Sequence, residues 1–140
     1  MFDFGNTVGV QEAVQFGAAR VESSTITEND IGFQTSHTRN LTFSGNNIFA
    51  NTTANVVVQT NKDHNFAGNY WGTQSALEIA TSIHDSADDP AVGTVTVDPY
   101  SLQEIDTTPP AVGFQTVTLG SGAVANDIDF GNYQKLSVSF

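Results

Sequence analysis

The 140-residue chain contains no cysteine, so disulfide and thiolate chemistry are absent and thiols say nothing of its redox compartment. Basic residues are scarce. Four Lys and Arg stand against fifteen Asp and Glu, a formal charge of −11, which makes nucleic-acid phosphate and anionic membrane surfaces unfavourable partners. Cations and neutral partners fit better. No run approaches the roughly 20 apolar residues of a membrane span, so membrane insertion is not expected. The N-terminal MFDFGNTVGV lacks both the basic segment and the apolar stretch of a secretory signal; a removed signal or an excised piece is the expectation. Charged residues make up only 14% of the chain, which excludes a Lys/Glu-rich helical surface.

Asn, Thr, Ser, Gly and Val are abundant, a composition that suits β-structure with a neutral, hydrogen-bonding exterior. The length fits one domain with a moderate core. Internal repetition organises the first half. VGVQ at Val8–Gln11 recurs as IGFQ at Ile31–Gln34 and more loosely as VVVQ at Val56–Gln59, with the glutamines 23 and 25 residues apart. A second register runs between them: Val21 with Ile26, Phe43 with Ile48 and Phe66 with Trp71, each pair five apart. Successive pairs are displaced by 22 and 23 residues, and Asn29 and Asn51 keep the 22-residue offset.

Short β-branched or aromatic runs, repeating at this period and separated by Asn, Gly, Ser and Thr, match single turns of a parallel β-solenoid. Asn tolerates left-handed corners and builds side-chain ladders between turns. An antiparallel sandwich is the alternative, and it gives no reason for matched offsets. The repeat divides into Val8–Asp30, Ile31–Ala54 and Asn55–Gly72.

From Asp63 to Ser101 the pattern changes. Ser75 and Glu78 form a capping box, and Ala76, Leu77, Ala80 and Ile83 give an apolar stripe, predicting a helix over about Gln74–His84. Asp85–Pro90 ends it, and Thr94–Asp98 reads as a strand stopped by Pro99. Asn46-Asn47-Ile48, Asn69-Tyr70-Trp71-Gly72-Thr73, Ile83-His84-Asp85, Asp88-Asp89-Pro90, Gly93 and Val95–Pro99 together resemble secreted right-handed parallel β-helix repeat proteins, the pectate-lyase-like solenoids of bacterial and archaeal surfaces. The resemblance covers about residues 21–101 and implies fold and location more than activity. Related solenoids include polysaccharide lyases and hydrolases, and also adhesins and surface-layer components. The lyases imply Ca²⁺-held carboxylates beside a basic residue, and this chain offers only Arg20, Arg39, Lys62 and Lys135.

Asp106-Thr107-Thr108-Pro109-Pro110 reads as a linker, which gives a β-helix over 1–105, a linker over 106–110 and a β tail over 111–140. In the tail, Gly113–Leu119 and Ala123–Phe130 flank Gly120-Ser121-Gly122 as a hairpin, and Leu136, Val138 and Phe140 alternate as a last strand. VTLGSGAVANDIDFGN resembles the closing strands of the immunoglobulin-like B-type repeats of bacterial surface proteins. DFGN occurs twice, at Asp3–Asn6 and Asp129–Asn132, as in a tandem array or head-to-tail polymer.

The expected fold is therefore all-β: a short right-handed parallel β-helix of about three turns, one short α-helix and a C-terminal β-hairpin tail. The expected function is an extracellular or cell-surface structural or adhesive subunit, without enzymatic activity, that assembles with itself. Phe2, Phe4, Leu136, Val138 and Phe140 are the candidate assembly residues. Asp85, Asp88 and Asp89, joined by Asp98, are the candidate ligands of a structural Ca²⁺, against the commoner alternative of a solvated acidic turn; no cofactor is required. Asn40 and Asn51 head the two glycosylation sequons, and Tyr70, on the side opposite Trp71, is the candidate sugar contact. His37, His64 and His84 are too dispersed for a metal motif, and no G-x-S-x-G elbow is present. A polysaccharide-binding module or a fragment of a carbohydrate-active enzyme is the second reading.

Overall fold

The structure is a computed structural model and describes residues 2–3, 5–12, 18–36 and 40–108, with Phe2 and Asp3 described by backbone alone. Short runs of β-branched and aromatic residues form the strands β1 (Phe2–Asp3), β2 (Val8–Glu12), β3 (Ala19–Glu22), β4 (Thr25–Thr27), β5 (Ile31–Thr35) and β6 (Leu41–Ser44). They continue as β7 (Asn47–Phe49), β8 (Ala54–Val58) and β9 (His64–Asn65); a helix, α1 (Ala76–Thr81), then precedes β10 (Ile83–His84) and β11 (Val95–Thr96).

Strands β1 to β5 each pair in parallel with the strand three places later, β1–β4–β7, β2–β5–β8 and β3–β6, so the chain visits three faces in rotation. This is a β-solenoid of about three regular turns. Residue offsets across the turns are 22 or 23, as in Phe2↔Thr25, Thr25↔Asn47, Val8↔Ile31 and Ala19↔Leu41.

Alternation within strands sends one set of side chains inward. Ile26 and Ile48 fill the core from the first face, Phe33, Val56 and Val58 from the second, and Phe43 and Phe66 from the third. Phe33, Phe43 and Phe66 converge with ring centroids 4.7 Å, 4.5 Å and 5.7 Å apart, so aromatic packing joins successive turns across the interior. Trp71 is buried at 2% exposure, as its five-residue spacing from Phe66 requires.

The glutamine repeat misplaces one register. Gln11 lies opposite Gln34, but Gln34 lies opposite Val57, two residues before Gln59. A slip of two preserves strand parity, so Ala54, Val56 and Val58 still face inward beneath Ile31, Phe33 and Thr35. The 25-residue spacing survives in the side chains, where Gln34 Nε2 donates to Gln59 Oε1 at 3.0 Å.

Stacking does not stop at Gly72. Ile83 pairs with Val56 and Val95 with His64, while Tyr70 bridges Asn47 on one side and Ser101 on the other. The segment is a fourth, irregular pass over the same faces. Offsets of 27 (Val56 to Ile83) and 31 (His64 to Val95) show that two corners have lengthened, one to hold α1 and one to hold the acidic turn.

The helix is shorter than its sequence signal. Ser75 Oγ accepts from the Glu78 N–H at 3.3 Å as the capping box predicts, but the Ser82 N–H and hydroxyl both bond to the Ile79 carbonyl and close the helix. Ile83 then enters a strand, because the stacked edge of β8 offers it a parallel partner. The predicted apolar stripe is also corrected: Ile79 is the buried residue of α1, whereas Leu77 is 74% exposed.

The chain divides into two compact units, Met1–Pro109 and Pro110–Phe140. The expected C-terminal hairpin and last strand lie outside the described residues, and no helix among those residues is long and apolar enough to cross a membrane.

Candidate functional site

Two left-handed corners per turn shape the ends of the strands. Gly5, Glu28, Ala50 and Gly72 have φ of 76°, 59°, 53° and 79° at one corner, and Ser23, Gly45 and Gly68 have 48°, 66° and 79° at the other. Each of the first three in the first series precedes an asparagine, and those asparagines stack: Asn6 N–H donates to Asn29 Oδ1 at 2.9 Å, and Asn29 N–H to Asn51 Oδ1 at 3.1 Å. In the second series Ser24 N–H donates to Asn46 Oδ1 at 3.1 Å, and Asn46 N–H to Asn69 Oδ1 at 2.9 Å. A corner would otherwise bury backbone N–H groups without partners, and the ladders satisfy them turn by turn.

The two ends of the stack differ. At the N-terminal end β1, β2 and β3 are the outermost strands of their faces among the described residues, and β2 and β3 run for five and four residues. At the C-terminal end the outermost strands β10 and β11 shrink to two residues each beside α1. Long parallel edges carry rows of backbone donors and acceptors that recruit further strands, whereas short ones are blunted.

The chain matches no family model, no curated protein and no solved structure. Its own geometry therefore has to carry the functional reading.

The candidate Ca²⁺ ligands serve the second lengthened corner. Asp85 is buried; its Oδ1 accepts from the Ala87 N–H at 3.0 Å and its Oδ2 from the Val95 N–H at 2.8 Å. Asp89 Oδ1 accepts from the Ala91 N–H at 2.9 Å, and Asp88 lies 3.7 Å from His84. Asp98 is exposed beyond β11. No three His, Cys, Asp or Glu side chains converge on a metal-sized site among the described residues.

Asn51, head of the second sequon, is a rung of the ladder. Its Nδ2, the atom a glycan would modify, donates to Asn55 Oδ1 at 2.9 Å and to the Ile26 and Phe49 carbonyls at 3.2 Å, and it sits against Gly32. A glycan there would break the corner. Asn40 is exposed, with its Oδ1 accepting from Lys62 Nζ at 2.9 Å. Tyr70 is half-buried, its ring edge-on to Phe49 at 6.0 Å and in the register position next to buried Trp71. Of the cations, Arg20 pairs with Glu22, while Arg39 and Lys135 lie outside the described residues.

Among the assembly residues, Phe2 lies in a strand already paired with β4 of its own chain, so the N-terminal segment builds this edge instead of reaching out from it. Phe4, Leu136, Val138 and Phe140 lie outside the described residues.

Two features escape the sequence reading. Residues on either side of the boundary between the predicted β-helix and linker form a strap across the first face: the Asn47 carboxamide exchanges two 2.7 Å hydrogen bonds with the Ile105 backbone, and Thr25 and Thr107 hydroxyls meet at 2.9 Å. A cleft of about 310 Å³ along it is lined by Glu104, Ile105, Asp106, Thr107 and Thr108. The second is His64, which is buried with Nε2 unpartnered, its ring 5.7 Å from Phe66. Burial lowers its pKa, helped by the Lys62 charge and opposed by Glu12 and Asp63.

Proposed function

We propose that the chain is an extracellular structural or adhesive surface subunit that assembles head to tail, without enzymatic activity. One observation carries this reading: the N-terminal end offers outermost parallel strands on all three faces among the described residues, two of them four and five residues long. A subunit made of stacked turns is extended by adding another turn, and strand addition needs no new chemistry. The polar exterior and the repeat of DFGN near both ends support the same reading.

Negative-stain imaging of the purified full chain tests it. Fibres whose length grows with protein concentration are expected. A uniform population of monomers at all concentrations would rule the assembly out.

A further inference from the structure

The repeated tetrad gains a structural meaning from its first copy. In Asp3-Phe4-Gly5-Asn6, Gly5 takes the left-handed corner with φ of 76°, and Asn6 is the rung that donates to Asn29. The register Phe2↔Thr25↔Asn47 carries this corner through Glu28 and Ala50, and the rung through Asn29 and Asn51. Gly131-Asn132 repeats the corner and rung residues, with Asp129-Phe130 before them as Asp3-Phe4 precede Gly5.

The residues after Asn132 also match a turn. Asn6, Asn29 and Asn51 each lead within three residues into a second-face strand of five residues, β2, β5 or β8. Asn132 leads within four residues to Leu136-Ser137-Val138-Ser139-Phe140, five residues whose apolar members alternate like Ala54, Val56 and Val58. The lengths agree with the edge they would meet, since β2 has five residues.

We propose that Ile128–Phe140 of a second copy docks on the N-terminal edge of the solenoid as an added turn. Ile128–Phe130 lies beside β1, Gly131 over Gly5, Asn132 as the next rung over Asn6, and Leu136–Phe140 beside β2. The occupant is recognised by its own backbone and by one asparagine, the same groups that join each turn to the next. From Thr108, the last described residue, to Ile128 is 20 residues, enough to span up to about 66 Å, so a neighbouring copy is within reach. This inference rests on the reading of the chain as an assembling subunit.

The cysteine-free sequence permits a direct test by disulfide trapping in the full chain. In the proposed register Thr7 lies beside Tyr133, and adjacent parallel strands hold such residues about 4.8 Å apart, within disulfide range. The double variant Thr7→Cys/Tyr133→Cys, oxidised after assembly, is expected to give a ladder of covalent multimers joined at positions 7 and 133 by peptide mass spectrometry. The shifted pair Thr7→Cys/Ser139→Cys, four residues out of register because Ser139 falls beside Gln11, should give none at that junction. Normal fibres without the 7–133 link would overturn this register while leaving assembly intact. A 7–133 link confined to monomers would show each tail on its own edge and overturn the second-copy occupant. Failure of the unmodified chain to form fibres would remove the reading beneath the proposal.

Discussion

Asn46 shows how much of this fold rests on single polar residues. It is fully buried, its Oδ1 accepts from the Ser24 N–H, and its Nδ2 donates to the Val21 carbonyl at 2.9 Å and to Asn69 Oδ1 at 3.1 Å. Asn46→Ala strips partners from groups that water cannot reach, so a loss of about 3 kcal/mol is expected in urea unfolding. Asn40→Ala, at an exposed position, should change stability by less than about 0.5 kcal/mol. Gly93 is fixed by space, not by dihedral preference: a Cβ there would lie 1.9 Å from the Lys62 carbonyl oxygen and 2.7 Å from the Asp63 nitrogen. Both neighbours are backbone and cannot rotate away, so Gly93→Ala should cost at least about 3 kcal/mol or detach the β9–β11 pairing, read as faster amide exchange at Phe66. His64 predicts a pH response of definite sign. Its folded pKa lies below the ordinary 6.5, so the unfolded chain binds the proton more readily. Its contribution is complete above about pH 6.5 and is lost as the pH falls toward the lowered folded value. Melting temperatures at pH 7.5 and 5.0 should therefore differ less in His64→Leu than in the parent chain; equal differences would show that His64 contributes nothing.

At the scale of elements, α1 tests what holds a short helix. Six residues are too few for intrinsic stability, so docking must supply it. Ile79→Ala should cost about 2–4 kcal/mol through a cavity in the core, while Leu77→Ala, on the exposed side, should be near neutral in the same urea titration. Equal effects would mean that the exposed side carries the contacts. The same helix marks what was legible in the sequence. Its N-terminus was readable because Ser75 acts through its own side chain, but its end was not, since Ile83 leaves the helix for a strand partner that only the stacked turn provides. The 22-residue offsets of Val21 and Phe43 and of Ile26 and Ile48 translate directly into strand register, because a solenoid turns sequence period into spatial neighbours. The corner series was harder to read, since Glu28 and Ala50 occupy left-handed positions that composition assigns to glycine. Asn51 shows a related limit: the sequon describes three residues, whereas its amide is engaged by residues as distant as Ile26. Asp85 lies in an acidic run, and its oxygens serve the backbone of its own turn and of β11, contacts that the spacing of the run does not reveal.

For the whole molecule, charge and edge geometry pull in opposite directions. Outermost strands favour stacking, but each copy brings a formal charge of −11, and stacking holds like charges at close range. Repulsion over these distances is screened by salt, the Debye length falling from about 30 Å at 0.01 M to about 10 Å at 0.1 M. Assembly should therefore start at a several-fold lower protein concentration in 0.15 M than in 0.01 M NaCl, read by sedimentation of fibres. Calcium separates screening from site binding. Since no three His, Cys, Asp or Glu side chains converge on one point among the described residues, CaCl₂ and MgCl₂ at equal ionic strength should act alike. A response to micromolar Ca²⁺ that Mg²⁺ does not reproduce would instead make the acidic corner a metal site. Because the Asp85 side chain also accepts from the Val95 N–H of β11, Ca²⁺ bound there would change amide exchange in β11 along with assembly.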